Sequence, residues 1–196
     1  DEFPGVTISP GLVRDYPYGD LAARVLGYVG RISGPEYTAL KSSDKAYGPD
    51  DDIGKTGIEK IFEDDLRGTP GTSVYEVDAA ERIIREVTEK RIDPKPGNDV
   101  YLTIDIDLQK LTERELVDAL TAARLQVKRD PDDPDITAPA GAAVILDPQT
   151  GAVRAMASYP TYSPKDFVGG ISQTKYQSLT NPANFNVGNN GTFNEF

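Results

Sequence analysis

The chain has no cysteine, no histidine and no tryptophan among its 196 residues, and a single methionine. These absences together remove thiol chemistry, thiolate or imidazole zinc sites and any Ser-His-Asp triad. Lack of cysteine does not by itself assign a compartment. There is no signal peptide and no apolar run near the ~18 residues of a membrane-crossing helix. The sequence opens abruptly on Asp1-Glu2-Phe3-Pro4, which leaves room for an anchor upstream. Basic residues are outnumbered 21 to 32, a formal net charge of -11. Such a surface repels phosphate backbones and argues against a nucleic-acid partner. Leu, Ile, Val and Phe make up about 23% of the chain, just above the ~20% below which disorder is expected. That implies a modest core, much exposed surface and an elongated shape, in one large domain or two small ones.

Carboxylates are plentiful. Asp50-Asp51-Asp52 and the loop from Asp130 to Asp135 are the places a hard cation could sit, but neither has the ligand spacing of a calcium loop. Both read as solvated acidic loops.

Taken in order, Pro4 to Pro10 is a short extended piece and Arg14 to Gly19 an aromatic turn. Leu21, Val25 and Val29 place an apolar stripe on a helix from Asp20 to Val29, capped by Asp20 and ended by Gly30. Pro35 opens a short second helix to Leu40, and Gly57 to Leu66 forms a third, with Ile58, Ile61, Phe62 and Leu66 on one face. Residues 78–87 are ambiguous. Asp78-Ala79-Ala80-Glu81 reads as a capping box before a helix, whereas Tyr75 and Val77 alternate as in a strand. Pro94-Lys95-Pro96-Gly97-Asn98 is the clearest boundary. Beyond it Val100, Leu102 and Ile104 alternate as a strand. A long helix then runs from an Asp107 cap to about Lys128, with Leu116, Leu120, Ala123 and Val127 on one stripe. Last, Ala142 to Leu146, the turn Asp147-Pro148-Gln149-Thr150-Gly151 and Ala152 to Ala157 form a β-hairpin, its first strand of the type buried on both faces.

That hairpin, AAVILDPQTGAVRAMASYPTYSP, resembles the opening strands of the transpeptidase domain of class B penicillin-binding proteins. RDYPYG at 14–19, GKTGIEKIFEDDLRG at 54–68 and the segment from Tyr75 to Gly97 resemble the same family's non-catalytic pedestal, or dimerisation domain. DVYLTIDIDLQKLTERELVDAL, from Asp99, resembles the entry to the transpeptidase domain. The resemblance implies an α+β fold in two units. Residues 1–97 would be an elongated pedestal, and 98–196 the incomplete N-terminal part of a penicillin-binding/β-lactamase-like transpeptidase domain. It implies a hairpin at 75–87, where the family usually has glycine at the place of Ala80 or Glu81. Carried over residue by residue, Arg14, Tyr16, Pro17, Gly19, Gly57 and Glu59 would be structural motif residues, with Arg14 and Glu59 a charged pair holding the pedestal together.

The implied function is peptidoglycan synthesis outside the bacterial cytoplasmic membrane. The parent would be a membrane-anchored serine D,D-transpeptidase that cross-links stem peptides and is acylated by β-lactams. Its pedestal would contact a SEDS-type glycan polymerase, and no metal or organic cofactor is implied. The family's chemistry needs a serine and a lysine at i and i+3, an S-x-N and a K-T-G around one cleft. Ser42-Ser43-Asp44-Lys45, Ser172-Gln173-Thr174-Lys175 and Lys55-Thr56-Gly57 match by pattern, yet no S-x-N occurs, and the family's N-R-A and P-G-S segments have no counterpart after Asn184. All three matches read as coincidences, so the chain carries no catalytic, cofactor or metal residues of its own. The alternative is a secreted, non-catalytic binding or scaffold module with a pedestal fold. A third possibility, an acidic calcium-binding surface protein, would show a calcium-dependent shift in melting temperature.

Overall fold

The computed structural model describes residues 13–43, 45, 47–80, 82–126 and 138–180. The extended piece at 4–10, the acidic loop at 130–135 and the tail after Asn184 lie outside the described residues.

Among the described residues the architecture is α+β, in three two-stranded antiparallel sheets joined by short helices and one long one. Helix α1 is only Ala23–Leu26, and the residues expected to continue it enter strand β1, Val29–Arg31. The reason is tertiary. Gly27, at φ +78°, turns the chain against the backbone of Thr56, and β1 then pairs with β2, Asp52–Gly54. The helix therefore ends at Gly27, not Gly30. Helix α2 is Gly34–Leu40, with Pro35 in its first turn and Glu36 reaching back to accept from the Ser33 N–H at 2.7 Å. The expected third helix is broken at Phe62 (φ -106°) into α3, Gly57–Ile61, and α4, Glu63–Leu66.

Residues 75–86 form a hairpin of β3, Tyr75–Val77, and β4, Ile83–Glu86, and not a helix. Asp78 does cap, but it caps the turn: its carboxylate accepts from the N–H groups of Ala80 and Arg82. The stretch 94–98 is tied back onto α4, with the Asn98 N–H donating to the Asp65 carbonyl at 2.7 Å.

No strand forms at 100–105. That segment runs alongside β6 (Val153–Tyr159) through two bonds only, from the Thr103 hydroxyl to the Val153 carbonyl and from the Asp105 N–H to the Arg154 carbonyl. The long helix α5 is Ile106–Arg124, and its cap is Asp105 instead of Asp107: the Asp105 carboxylate accepts from the Asp107 and Leu108 N–H groups. Strand β5, Gly141–Leu146, pairs with β6. One face lies on α5, where Gly141 faces Leu116 and Leu120, while Val144, Leu146 and Met156 are exposed. Among the described residues, one face of the hairpin is covered, by α5. Helix α6, Gln173–Thr180, follows a 3₁₀ turn at Pro164–Phe167.

Two apolar clusters hold the described residues. Ile32, Tyr47 and Ile53 pack with Tyr37 and Leu40. Ala23, Tyr162 and Phe167 pack with Tyr28, Ile171 and Leu179, and so combine residues from both halves of the sequence. Tyr28 stacks on Phe167 at 3.9 Å between ring centroids, and Tyr162 meets both edge-on.

Candidate functional site

Two polar constellations flank α1. The first joins the turn at 14–19 to α3. The Arg14 guanidinium donates from Nε and Nη2 to the two oxygens of Glu59, at 2.6 and 2.7 Å, a bidentate fork. Tyr16 completes it. Its hydroxyl donates to Glu59 Oε1 at 3.2 Å and accepts from the Val29 N–H. Glu59 is buried at 6% exposure, and these donors replace the water its carboxylate has lost. Burial, and then the Glu59 charge, push the Tyr16 hydroxyl well above its ordinary pKa, and the Glu59 bond raises that of Arg14.

The structure therefore brings Arg14, Tyr16 and Glu59 together. Pro17 and Gly19 shape the turn that delivers them: Gly19, at φ +69°, closes it by donating its N–H to the Tyr16 carbonyl, and both line a shallow depression with Glu59. Gly57 touches none of the charged atoms. It sits at φ +59° where the backbones of α1 and α3 cross, and a Cβ there would meet the Val25 carbonyl at 2.6 Å.

The second constellation was not foreseen from the sequence. Three successive residues bond across to the second half of the chain. The Ala22 N–H donates to Glu113 Oε1 at 2.8 Å, the Ala23 carbonyl accepts from the Tyr162 hydroxyl at 3.1 Å, and Arg24 Nη2 donates to the Pro160 carbonyl at 3.0 Å. Glu113 Oε1 also accepts from Gln109 Nε2 at 2.7 Å. Gln109 is fully buried, and its amide grips Met156 of β6 at both main-chain atoms, accepting from N–H at 2.7 Å and donating to the carbonyl at 2.8 Å. Gln109 and Glu113 stand at i, i+4 on α5, on the face continued by Leu116 and Leu120. A polar pair interrupting that stripe was the available signal. A cleft of about 470 Å³ lined by Tyr18, Asp20, Lys110, Arg114 and Tyr159 opens beside Glu113.

The pattern matches to catalytic motifs are engaged otherwise. Lys45 pairs with Asp64, Lys55 with Glu36 at 2.6 Å and Lys175 with Asp166 at 3.2 Å, so each amine is directed at a carboxylate. The Ser172 hydroxyl accepts from the Lys175 N–H at the start of α6. Asp50 and Asp52 pair with Arg31, and Asp51 with Arg67. Among the described residues no group of three or more acidic side chains is arranged to hold a metal, and no helix is long and apolar enough to cross a membrane.

Comparison with known proteins gives consistent matches. Residues 1–102 match the family described as the penicillin-binding protein dimerisation domain. The peptidoglycan D,D-transpeptidase MrdA of Acinetobacter baumannii is 42% identical over 91% of this chain and 23% of its own length. That of Escherichia coli is 36% identical over 97% of this chain and 27% of its own. The chain thus spans about a quarter of the curated relatives it matches. Among solved structures, a chain of a peptidoglycan synthase complex that coordinates polymerization and crosslinking matches at 32% identity with a TM-score of 0.67, over 85% of this chain and 27% of that one. Penicillin-binding protein PBP2 of Helicobacter pylori, in complex with MreC, matches at 31% identity and a TM-score of 0.60, over 88% of this chain and 28% of that one.

Proposed function

The chain belongs to the penicillin-binding protein dimerisation-domain family, and from that premise we propose that it is the pedestal and the first helix and hairpin of a peptidoglycan D,D-transpeptidase. In this reading residues up to 97 form the pedestal and those from 98 begin the transpeptidase domain. The nucleophilic serine lies in the remaining three-quarters of the length that the relatives have. The whole protein cross-links stem peptides at the outer face of the bacterial cytoplasmic membrane and is acylated by β-lactams. Its pedestal stands against a SEDS-type glycan polymerase, a placement supported by the likeness to a chain of a synthase complex.

The observation that carries the reading is the joint at Ala22–Arg24. There α1 is bonded to residues 91 to 139 positions away, which mounts the hairpin on the pedestal. A pedestal fixed in this way positions a catalytic domain without contributing to its chemistry.

The test is the intact mass of the full-length protein before and after excess benzylpenicillin. Opening of the lactam by a serine adds the whole penicillin mass, and one such adduct is the expected result. Residues 1–196 alone should acquire none. A folded full-length protein that stays unmodified would replace this reading with the non-catalytic scaffold module. An adduct on the short chain would bring Ser42 or Ser172 back as nucleophiles.

A further inference from the structure

Glu113 occupies an unusual place: one carboxylate oxygen serves two donors that belong to different parts of the chain, the Ala22 main chain and the Gln109 side chain. Every polar atom of the Gln109 amide is engaged. Nε2 uses its two hydrogens on Glu113 and on the Met156 carbonyl, and Oε1 accepts from the Met156 N–H. Because both neighbours of Nε2 are acceptors and the neighbour of Oε1 is a donor, the amide has a single satisfied orientation. At the other end Ala22 has φ +56°, a left-handed backbone that a residue with a Cβ keeps only when its surroundings hold it there. The Glu113 bond to its N–H is such a restraint.

We propose that Gln109 and Glu113 form a polar relay that couples the pedestal to strand β6, so that a displacement of α1 reaches the main chain at Met156 instead of being absorbed between the two units. A continuous run of bonds joins the Ala22 N–H, Glu113, Gln109 and Met156, and its middle member, Gln109, is shut off from water, where hydrogen bonds are not exchanged for solvent. The Tyr162–Ala23 and Arg24–Pro160 bonds run beside the relay without touching Gln109 or Glu113, so they hold the joint together but do not form part of it. Both residues are positioning residues. The relay holds whether or not the full-length protein reacts with penicillin, so its failure is separable from that of the proposed function.

The experiment is residue-resolved amide hydrogen exchange on the full-length protein. Glu113→Leu removes the acceptor. Glu113→Asp, which keeps the charge but draws the oxygen back by one methylene, serves if the leucine variant fails to fold. Glu113→Gln retains a carbonyl oxygen in place. Loss of a hydrogen bond to a charged group is worth about tenfold or more in exchange. The expected result is that Leu or Asp at 113 speeds exchange at both Ala22 and Met156 by about tenfold, while Val29 is unaltered and Glu113→Gln stays near the parent. Faster exchange at Ala22 with Met156 unchanged would overturn the relay, as would no change at either. Tyr162→Phe should leave Met156 as it was, and an equal effect there would reduce Glu113 to one structural contact among several.

Discussion

Glu59 is the residue on which the pedestal side depends most. Its buried carboxylate receives two bonds from Arg14 and one from Tyr16, so replacing it by the uncharged isostere turns one arm of the Arg14 fork, which met an oxygen, toward an amide NH2 that can only donate. Glu59→Gln should cost about 2 kcal/mol and lower the melting temperature by about 4–8 °C; an unchanged melt would show that the pair contributes nothing to stability. Glu36 behaves differently because water reaches it. Burial alone would raise its pKa, but the Lys55 ammonium and the Ser33 N–H and hydroxyl outweigh that and hold the carboxyl at about 2, against an ordinary 4.5. A carboxyl depressed on folding stabilises the folded state above the ordinary pKa, and that stabilisation is lost as pH falls from 4.5 toward 2. Urea unfolding midpoints at pH 6 and pH 3 should therefore fall less in Glu36→Gln than in the parent. Equal falls would mean Glu36 is not a source of the acid sensitivity.

At the scale of elements, the organising contact is the crossing of α1 and α3. Gly27 and Gly57 face each other with positive φ, and each would drive a Cβ into the other's backbone segment, at 1.9 Å from the Thr56 carbonyl and 2.6 Å from the Val25 carbonyl. Backbone cannot move aside as a flexible side chain can, so Gly57→Ala combines left-handed strain with a main-chain clash. It should cost about 3 kcal/mol or more, read as a lower urea midpoint, whereas Gly19→Ala meets nothing within 4 Å and should cost only its backbone strain. The same crossing explains the shortened α1. Leu21, Val25 and Val29 do form a helical stripe on paper, but Gly27 turns the backbone out of the helix and Val29 is claimed by pairing with Gly54. Similarly, Asp107 is a plausible cap by residue type, yet Asp105 caps α5 because its own N–H is already held by Arg154.

For the whole molecule, stability and assembly meet at the joint. The cluster of Ala23, Tyr28, Tyr162 and Phe167 belongs to neither half of the chain alone, and burial pushes the Tyr162 hydroxyl's pKa up while it donates to the Ala23 carbonyl. Tyr162→Phe keeps the ring packing and loses the hydroxyl's bond to the Ala23 carbonyl. It should cost about 1 kcal/mol, or about 2–4 °C in melting temperature, because Ala23's carbonyl retains its helical partner, the Gly27 N–H. A drop several times larger would mean that the hydroxyl, and not the aromatic stack, holds the two parts together. The exposed Val144, Leu146 and Met156 on the outer face of the β5–β6 hairpin have an unfavourable apolar exposure for a two-stranded sheet standing by itself.

What the sequence determined by itself was set by local chemistry and motif order: the family, the α+β class, the Pro35 helix start, the Asp-Pro/Thr-Gly turn of the hairpin, and the pairing of residue types in Arg14 and Glu59. These follow from backbone preferences and from short motifs that need no distant partner to be recognised. The hairpin at 75–87 was implied by the family resemblance against the local capping-box pattern, whereas the end of α1 and the cap of α5 were decided by tertiary structure. At these two places a long-range main-chain contact, of Gly27 with Thr56 and of Asp105 with Arg154, selects between local solutions. The joint lay further still from view. Gln109 and Glu113 interrupt the apolar stripe of α5, but their partners, the Met156 main chain and the Ala22 N–H, lie 47 and 91 residues away and are brought to them only by folding.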